Sequence, residues 1–344
     1  MNRFGRILFL AFALGILAYG CAKPLPDLYW PPPPDEPRIK YVRDYMTTTD
    51  LKGTNIAVEI IAGAEANQAL KKPMGVYVDA AGKLYVTDTA RSDVMMIDTV
   101  SKAGRVFGGK NLAKPIGVAV DGKGRIFVAD SDTKKVAIFD ADGRIITDNV
   151  LPNEPLKRPS GIAIDNTRNL LYITDTYDHD IKVFDVNTLK QTRTIGKRGK
   201  EDGQFNFPSH LAVDGNGSLF VTDTQNGRVQ VFDSDGKFLR KFGEFGDAPG
   251  MFARPKGVGV DSEGHVYVAD AAFNNVQIFD EEGKILMAFS SYGTDRGQMV
   301  LPAGLSVDRD DYIYVVDSWG RRIEVYEYLG EKHKAREAAA AKKK

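Results

Sequence analysis

One group of three strand-like segments returns six times from Pro73 onward, and few folds can absorb it. The first segment reads PMGVYVD (73–79), PIGVAVD (115–121), PSGIAID (159–165), PSHLAVD (208–214), PKGVGVD (255–261) and PAGLSVD (302–308). The second reads KLYVTD (83–88), RIFVAD (125–130), LLYITD (170–175), SLFVTD (218–223), HVYVAD (265–270) and YIYVVD (312–317). The third runs from DVMMID (93–98) to IEVYE (323–327). The initial prolines lie 42, 44, 49, 47 and 47 residues apart. Self-similarity at that period, with several strands in each unit, indicates a β-propeller, in which one unit makes one blade. Neither alternating helices nor a simple sandwich produces it.

Turn chemistry agrees. DAAGK, DGKGR, DGNGS and DSEGH separate first from second segments and suit short hairpins. After the third segment, turns such as DSDGK lead into an outer strand such as FLRKFG (238–243). The sixth unit has no outer strand of its own, whereas NIAVEIIAG (Asn55–Gly63) precedes the first unit unassigned. The expectation is therefore an all-β, six-bladed propeller of four-stranded antiparallel blades over 54–329. An N-terminal strand, Asn55–Gly63, completes the last blade and closes the ring.

The ends of the chain read differently. Arg3 and Arg6 precede the apolar run Ile7–Leu17, a secretory signal pattern over residues 1–20 that is too short to span a bilayer comfortably. The sole cysteine, Cys21, follows at once, so no internal disulfide can form. LAYGC (17–21) resembles the lipobox of bacterial lipoproteins, which implies an acylated Cys21 and membrane attachment. Ala22 after the cysteine implies the outer membrane. Residues 21–53, with four consecutive prolines (Pro31–Pro34), read as an extended tether. Alternatively the prolines present a ligand for a partner's aromatic groove, or Tyr29 and Trp30 dock back on the domain. The tail 330–344 is rich in alanine and lysine, with helical composition and a solvated character. With 46 basic and 46 acidic residues the chain offers no basic field for nucleic acid, and none is expected as a partner.

The repeats resemble the NHL family, most closely in VTDTQNGRVQVFD (221–233) and the linkers GKRGKEDGQFNFP (196–208) and GEFGDAPGMFARP (243–255). The resemblance implies the propeller fold over about 270 residues. It leaves function open, because such propellers serve as adaptors, nucleic-acid binders and lyases.

Aspartates closing each first strand (Asp79 through Asp308) and each second strand (Asp88 through Asp317) read as scaffold, since a carboxylate there can accept turn N–H groups. Ala119, Ala163, Ala212, Gly259 and Ser306 share one small position, which Tyr77 breaks by packing or by plugging the channel. Function is sought where the repeat deviates, on the face where second-to-third turns and interblade linkers emerge. That face carries Tyr177, His179, Arg228, Phe273, Asn274, Trp319, Arg321 and Arg322, a mixture of basic and aromatic groups common at protein interfaces. His210 replaces a glycine found in the other five units and sits near the channel mouth, close to His179. The four histidines are too scattered for a three-histidine zinc site, and no nucleophile elbow, phosphate loop or HExxH is present. The leading expectation is a lipid-anchored binding scaffold for a cell-envelope protein, with no catalytic residue, metal or cofactor. The alternatives are a metal-dependent propeller lyase or hydrolase, or a small-ligand or glycan module at the channel mouth.

Overall fold

A computed structural model of the chain describes residues 26–48, 50, 68–148 and 155–342. It forms six antiparallel sheets around one axis, five of four strands and one of five. In the fourth blade the strands are Pro208–Val213, Leu219–Asp223, Arg228–Phe232 and Phe238–Phe242, running from axis to rim. Second strands such as LFVTD and VYVAD are buried at every residue, because a neighbouring blade covers each face. That is why they read as continuous apolar runs rather than alternating ones. The rim strand FLRKF alternates instead, since one face meets solvent. Apolar clusters fill the wedges between blades; Phe220 and Val229 of the fourth meet Val258 and Val268 of the fifth.

An N-terminal strand does complete the last blade, but it is not Asn55–Gly63, which lies outside the described residues. The closing strand β2 is Ile39–Tyr45, paired along the chain's last strand, Arg322–Tyr328. A short strand β1, Tyr29–Trp30, adds outside it. β2 turns Ile39, Tyr41 and Tyr45 inward, while a register shift lets Val42 bulge outward. The Tyr41 ring meets Tyr326 edge-on at 5.7 Å, and Trp30 packs on Phe289 and Tyr326. Tyr29 and Trp30 thus dock back, and the proline run forms the connection between β1 and β2. Part of the segment expected as a tether belongs to the ring.

The repeated aspartates are scaffold. Asp270 accepts the N–H groups of Ala253 and Arg254 from the preceding linker and those of Ala272 and Phe273 from its own turn. Asp88 and Asp130 do the same in their blades. First-strand aspartates close their own hairpins, as Asp214 does with Asn216 and Ser218. The shared small position is explained at Gly259, where an added Cβ would lie 2.6 Å from Leu305 and 2.9 Å from Val307 of the next blade. Tyr77 packs rather than plugs: its ring joins the clusters around the second blade and its hydroxyl donates to Val120 O at 3.4 Å. The tail forms helix α1, Glu331–Ala341, held by His333 and Arg336 on Glu327 and by Lys332 on Asp311.

Candidate functional site

The turns between second and third strands share one conformation. Ser92, Lys134, His179, Gly227, Asn274 and Arg321 occupy the same place in their blades, each with φ between 57° and 62°. This left-handed residue reverses the chain before the third strand. Two of the expected contact residues are therefore ties between blades. His179 Nδ1 accepts the N–H of Phe207 at 3.1 Å, and Asn274 Oδ1 accepts that of Leu301 at 2.9 Å. His179 is buried, and burial holds its imidazole below the usual value. No contact joins His179 to His210.

Arg228 and Arg322 also turn inward. Arg228 is 6% exposed; its Nε pairs with Asp223 at 2.9 Å and its Nη2 donates to the carbonyls of Glu201 and Gln204, both at 2.9 Å. Arg322, 5% exposed, repeats this with Asp317 and the carbonyls of Thr294, Asp295 and Gln298. Each guanidinium thus ties a long interblade linker to the turn below it, using the five-donor fork that only arginine has. In the sequence the Arg in NGR and WGRR looks exposed because it follows a polar turn; the acceptors that bury it come from a linker about 25 residues upstream.

Arg322 also meets Glu324 at 2.9 Å, so one cation serves two carboxyls. Burial pushes Glu324 up to about 8 from 4.5, while the Tyr326 hydroxyl donates to it. The equivalent residues in the fourth and fifth blades are Gln230 and Gln277, whose amides donate to the carbonyls of Gln204 and Met251. The folded state favours protonated Glu324. Stabilisation from this group is complete below about 4.5 and is lost as pH rises through about 8. Glu324→Gln is expected to hold its urea midpoint from pH 6 to pH 9 while that of the wild type falls; parallel curves would show that Glu324 is ionised throughout.

The outward residues are Tyr177, Trp319 and Arg321, with Trp319 68% exposed and Tyr177 50% exposed. Phe273 is half-buried. The Arg158 guanidinium lies over the Tyr177 ring at 4.7 Å. Sequence reasoning missed three linker residues on the same face: Phe245 (54% exposed), Tyr292 (71%) and Leu301 (44%). Phe245 and Tyr292 occupy equivalent linker positions, each bridging back to its own linker at Phe252 or Met299. Aligning the linkers rather than the strands would have found them.

His210 lines the axial channel with the equivalent glycines of four other blades, Gly75, Gly117, Gly161 and Gly304, bordering a cavity of about 40 Å³. Its backbone N–H donates to Thr222 Oγ1 at 3.0 Å, just as Gly75 donates to Thr87. Its Nδ1 lies 3.2 Å from Ser209 Oγ, and Nε2 is buried without a partner. Burial, then the charge of Lys256, drives His210 down to about 3, so the ring is neutral. Among the described residues no group of three or more His, Cys, Asp or Glu is placed to hold a metal.

Comparison with known proteins follows the same lines. The NHL repeat model matches residues 112–139 and 252–279, and the SMP-30/Gluconolactonase/LRE-like region matches residues 149–243. The two NHL matches take in the inner three strands of the second and fifth blades, and the other match spans the third and fourth blades. The chain is a six-bladed β-propeller that carries NHL repeats. NHL repeat-containing protein 2 of Bos taurus is 36% identical over 104 residues, covering 28% of this chain and 14% of that protein. The probable peptidyl-alpha-hydroxyglycine alpha-amidating lyase pgal-1 of Caenorhabditis elegans is 32% identical over 85 residues, 24% of each chain. These matches thus span a quarter or less of the curated relatives' length. A streptogramin B lyase structure superposes with TM-score 0.56 over 75% of this chain and 94% of its own, at 15% identity, which speaks to the fold alone.

Proposed function

We propose that this NHL propeller is an exported lipoprotein, acylated at Cys21, that serves as a rigid binding scaffold for a protein partner in the cell envelope, at the outer membrane. The observation that carries this reading is the set of exposed large apolar side chains on one face: Tyr177, Phe245, Tyr292, Leu301 and Trp319. All five belong to linkers or second-to-third turns of the third to sixth blades, which open on the same side of the ring. Aromatic anchors set in a polar surround are the usual energetic centre of a protein interface.

The entry of the chain favours the same arrangement. Pro26 O accepts from Arg296, in the linker that also carries Tyr292. From Cys21 to Pro26 the chain can reach roughly 17 Å at about 3.5 Å per residue. An acylated Cys21 would hold the propeller against the bilayer with its recognition face beside the anchor.

Crosslinking in intact cells tests this. Wild-type protein should fractionate with membranes and give one dominant adduct, while Trp319→Ala with Tyr292→Ala should lose that adduct and keep its unfolding free energy within about 0.5 kcal/mol. Cys21→Ala should move to the soluble fraction. An adduct that survives the double substitution, or a Cys21→Ala protein that stays with membranes, would overturn the respective half.

A further inference from the structure

The wedge between the sixth and first blades lacks a ring that the other five wedges have. The fifth residue of the third strand is Phe139, Phe184, Phe232, Phe279 and Tyr326 in blades two to six, each buried against the preceding blade. In the first blade it is Ile97. The neighbouring turn differs as well. In blades two, four and five a glycine of the third-to-fourth hairpin lies on the preceding rim strand, where an added Cβ would come within 2.5–2.7 Å of Phe107, Ile195 or Phe242. The first blade has Thr99, Val100 and Ser101 in this turn, and Val100 stands 77% exposed. Between that turn and the bulge at Val42 lies a cavity of about 370 Å³, within the range of small-molecule sites. Ile97 shares a cluster with Tyr45, Tyr314 and Val325, all of which border this cavity.

The lining brings donors and acceptors to one opening. Arg43 and Arg309 border it together with Asp79, Asp308 and Asp310. Arg43 lies over the Tyr45 ring at 5.1 Å and forms no ion pair among the described residues. Arg309 meets only its neighbour Asp310, at 3.6 Å, with its side chain 72% exposed. Elsewhere on this side of the ring arginines bond across the seams: Arg125 donates to Val186 O at 2.8 Å and Arg168 to Asn216 O at 2.7 Å. Asp79 and Asp308 each accept two turn N–H groups at Oδ1 and one tyrosine hydroxyl at Oδ2, from Tyr85 at 3.2 Å and Tyr314 at 3.1 Å. Each carboxylate keeps acceptor capacity beyond those bonds.

We propose that this seam cavity binds a small neutral sugar, a mono- or disaccharide. Arg43 and Arg309 donate to its hydroxyls, Asp79 and Asp308 accept from them, and the Tyr45 and Tyr312 rings border its apolar faces. The class follows from the mixture. A hydroxyl both donates and accepts, so a polyol answers both kinds of group. An anion would meet three carboxylates, and a cation two guanidiniums, at close quarters. The first-to-second hairpins that frame the cavity open on the side opposite the second-to-third turns, so this site is independent of the face assigned to the protein partner. The axial cavity, at about 40 Å³, has no room for such a ligand.

Calorimetric titration of the intact protein tests this, with glucose, galactose, N-acetylglucosamine and chitobiose as neutral probes and glucuronate and glucosamine as charged ones. One saturable site is expected for at least one neutral probe, with weaker binding of both charged sugars. Arg43→Ala combined with Arg309→Ala should weaken binding at least tenfold with circular dichroism unchanged, because both side chains are exposed. Ile97→Phe installs the residue that blades two to five carry and fills the wedge. It should abolish binding while the melting temperature holds or rises. Should that variant fail to fold, the arginine pair decides alone. No saturable heat from any neutral probe, tighter binding of a charged sugar, or wild-type affinity in either folded variant would overturn the site.

Discussion

Tyr41→Ala should destabilise the protein by about 3–5 kcal/mol, the range for deleting a buried aromatic ring. Tyr41 is 3% exposed, lies directly across from Tyr326 in the closing pair of strands, and shares a cluster with Ile39, Tyr326, Phe289 and Met299. Removing the ring leaves a void where the N-terminal strand meets the C-terminal one. That junction ties the N-terminal part of the chain to its last blade and so helps to close the ring. Without it the last blade loses its outer strand, and the wedges beside that blade lose Ile39 and Tyr41 toward the fifth blade and Tyr45 toward the first. With no cysteine in the described fold to staple the ends, the closure rests on β-pairing and packing. Denaturant unfolding of the variant measures the loss. If the outer strand of the sixth blade were Asn55–Gly63, Tyr41 would lie on a tether and the substitution would change stability by no more than about 0.5 kcal/mol.

Arg322→Ala is expected to cost a similar amount, about 3–5 kcal/mol, by the mechanism of a broken buried ion pair. The substitution strands Asp317 and Glu324, both fully buried, and releases three linker carbonyls. Burial already raises both carboxyls and holds Glu324 protonated, so at neutral pH the folded variant would have to protonate or hydrate Asp317 and leave Glu324 without its buried partner. Combining Arg322→Ala with Glu324→Gln should recover part of the loss, because Gln stands at the equivalent position in two other blades. A single substitution that leaves the melting temperature unchanged would mean that the linker from Ser291 to Leu301 is held by something else. Trp319→Ala, three residues away in sequence, should be silent in the same assay, since Trp319 is 68% exposed. The contrast separates a residue that builds from one that recognises.

Much of this was legible in the chain. Blade number, strand order within a blade, the role of the repeated aspartates and the crowding at Gly259 all follow from six copies of one local pattern, where each copy checks the others. Trp319, Tyr177 and Arg321 were legible as outward residues for the same reason. Arg228, Arg322 and His179 were not. Their turns look polar and exposed, and only the approach of a linker from the preceding blade, or of Phe207 from the next, takes the side chains out of water.

The sequence by itself determined the blade, because hairpins and strand periodicity are set by residues within a few positions of each other. It also determined that the ring must be closed from the N-terminal side, since the sixth unit lacks its outer strand. Which segment closes it was decided only by tertiary structure. IKYVRDY and NIAVEIIAG both satisfy the local requirements of a strand. The choice between them depends on fit to a surface about 280 residues distant, where Tyr41 and Trp30 meet Tyr326, and a contact of that separation leaves no periodic mark on the chain.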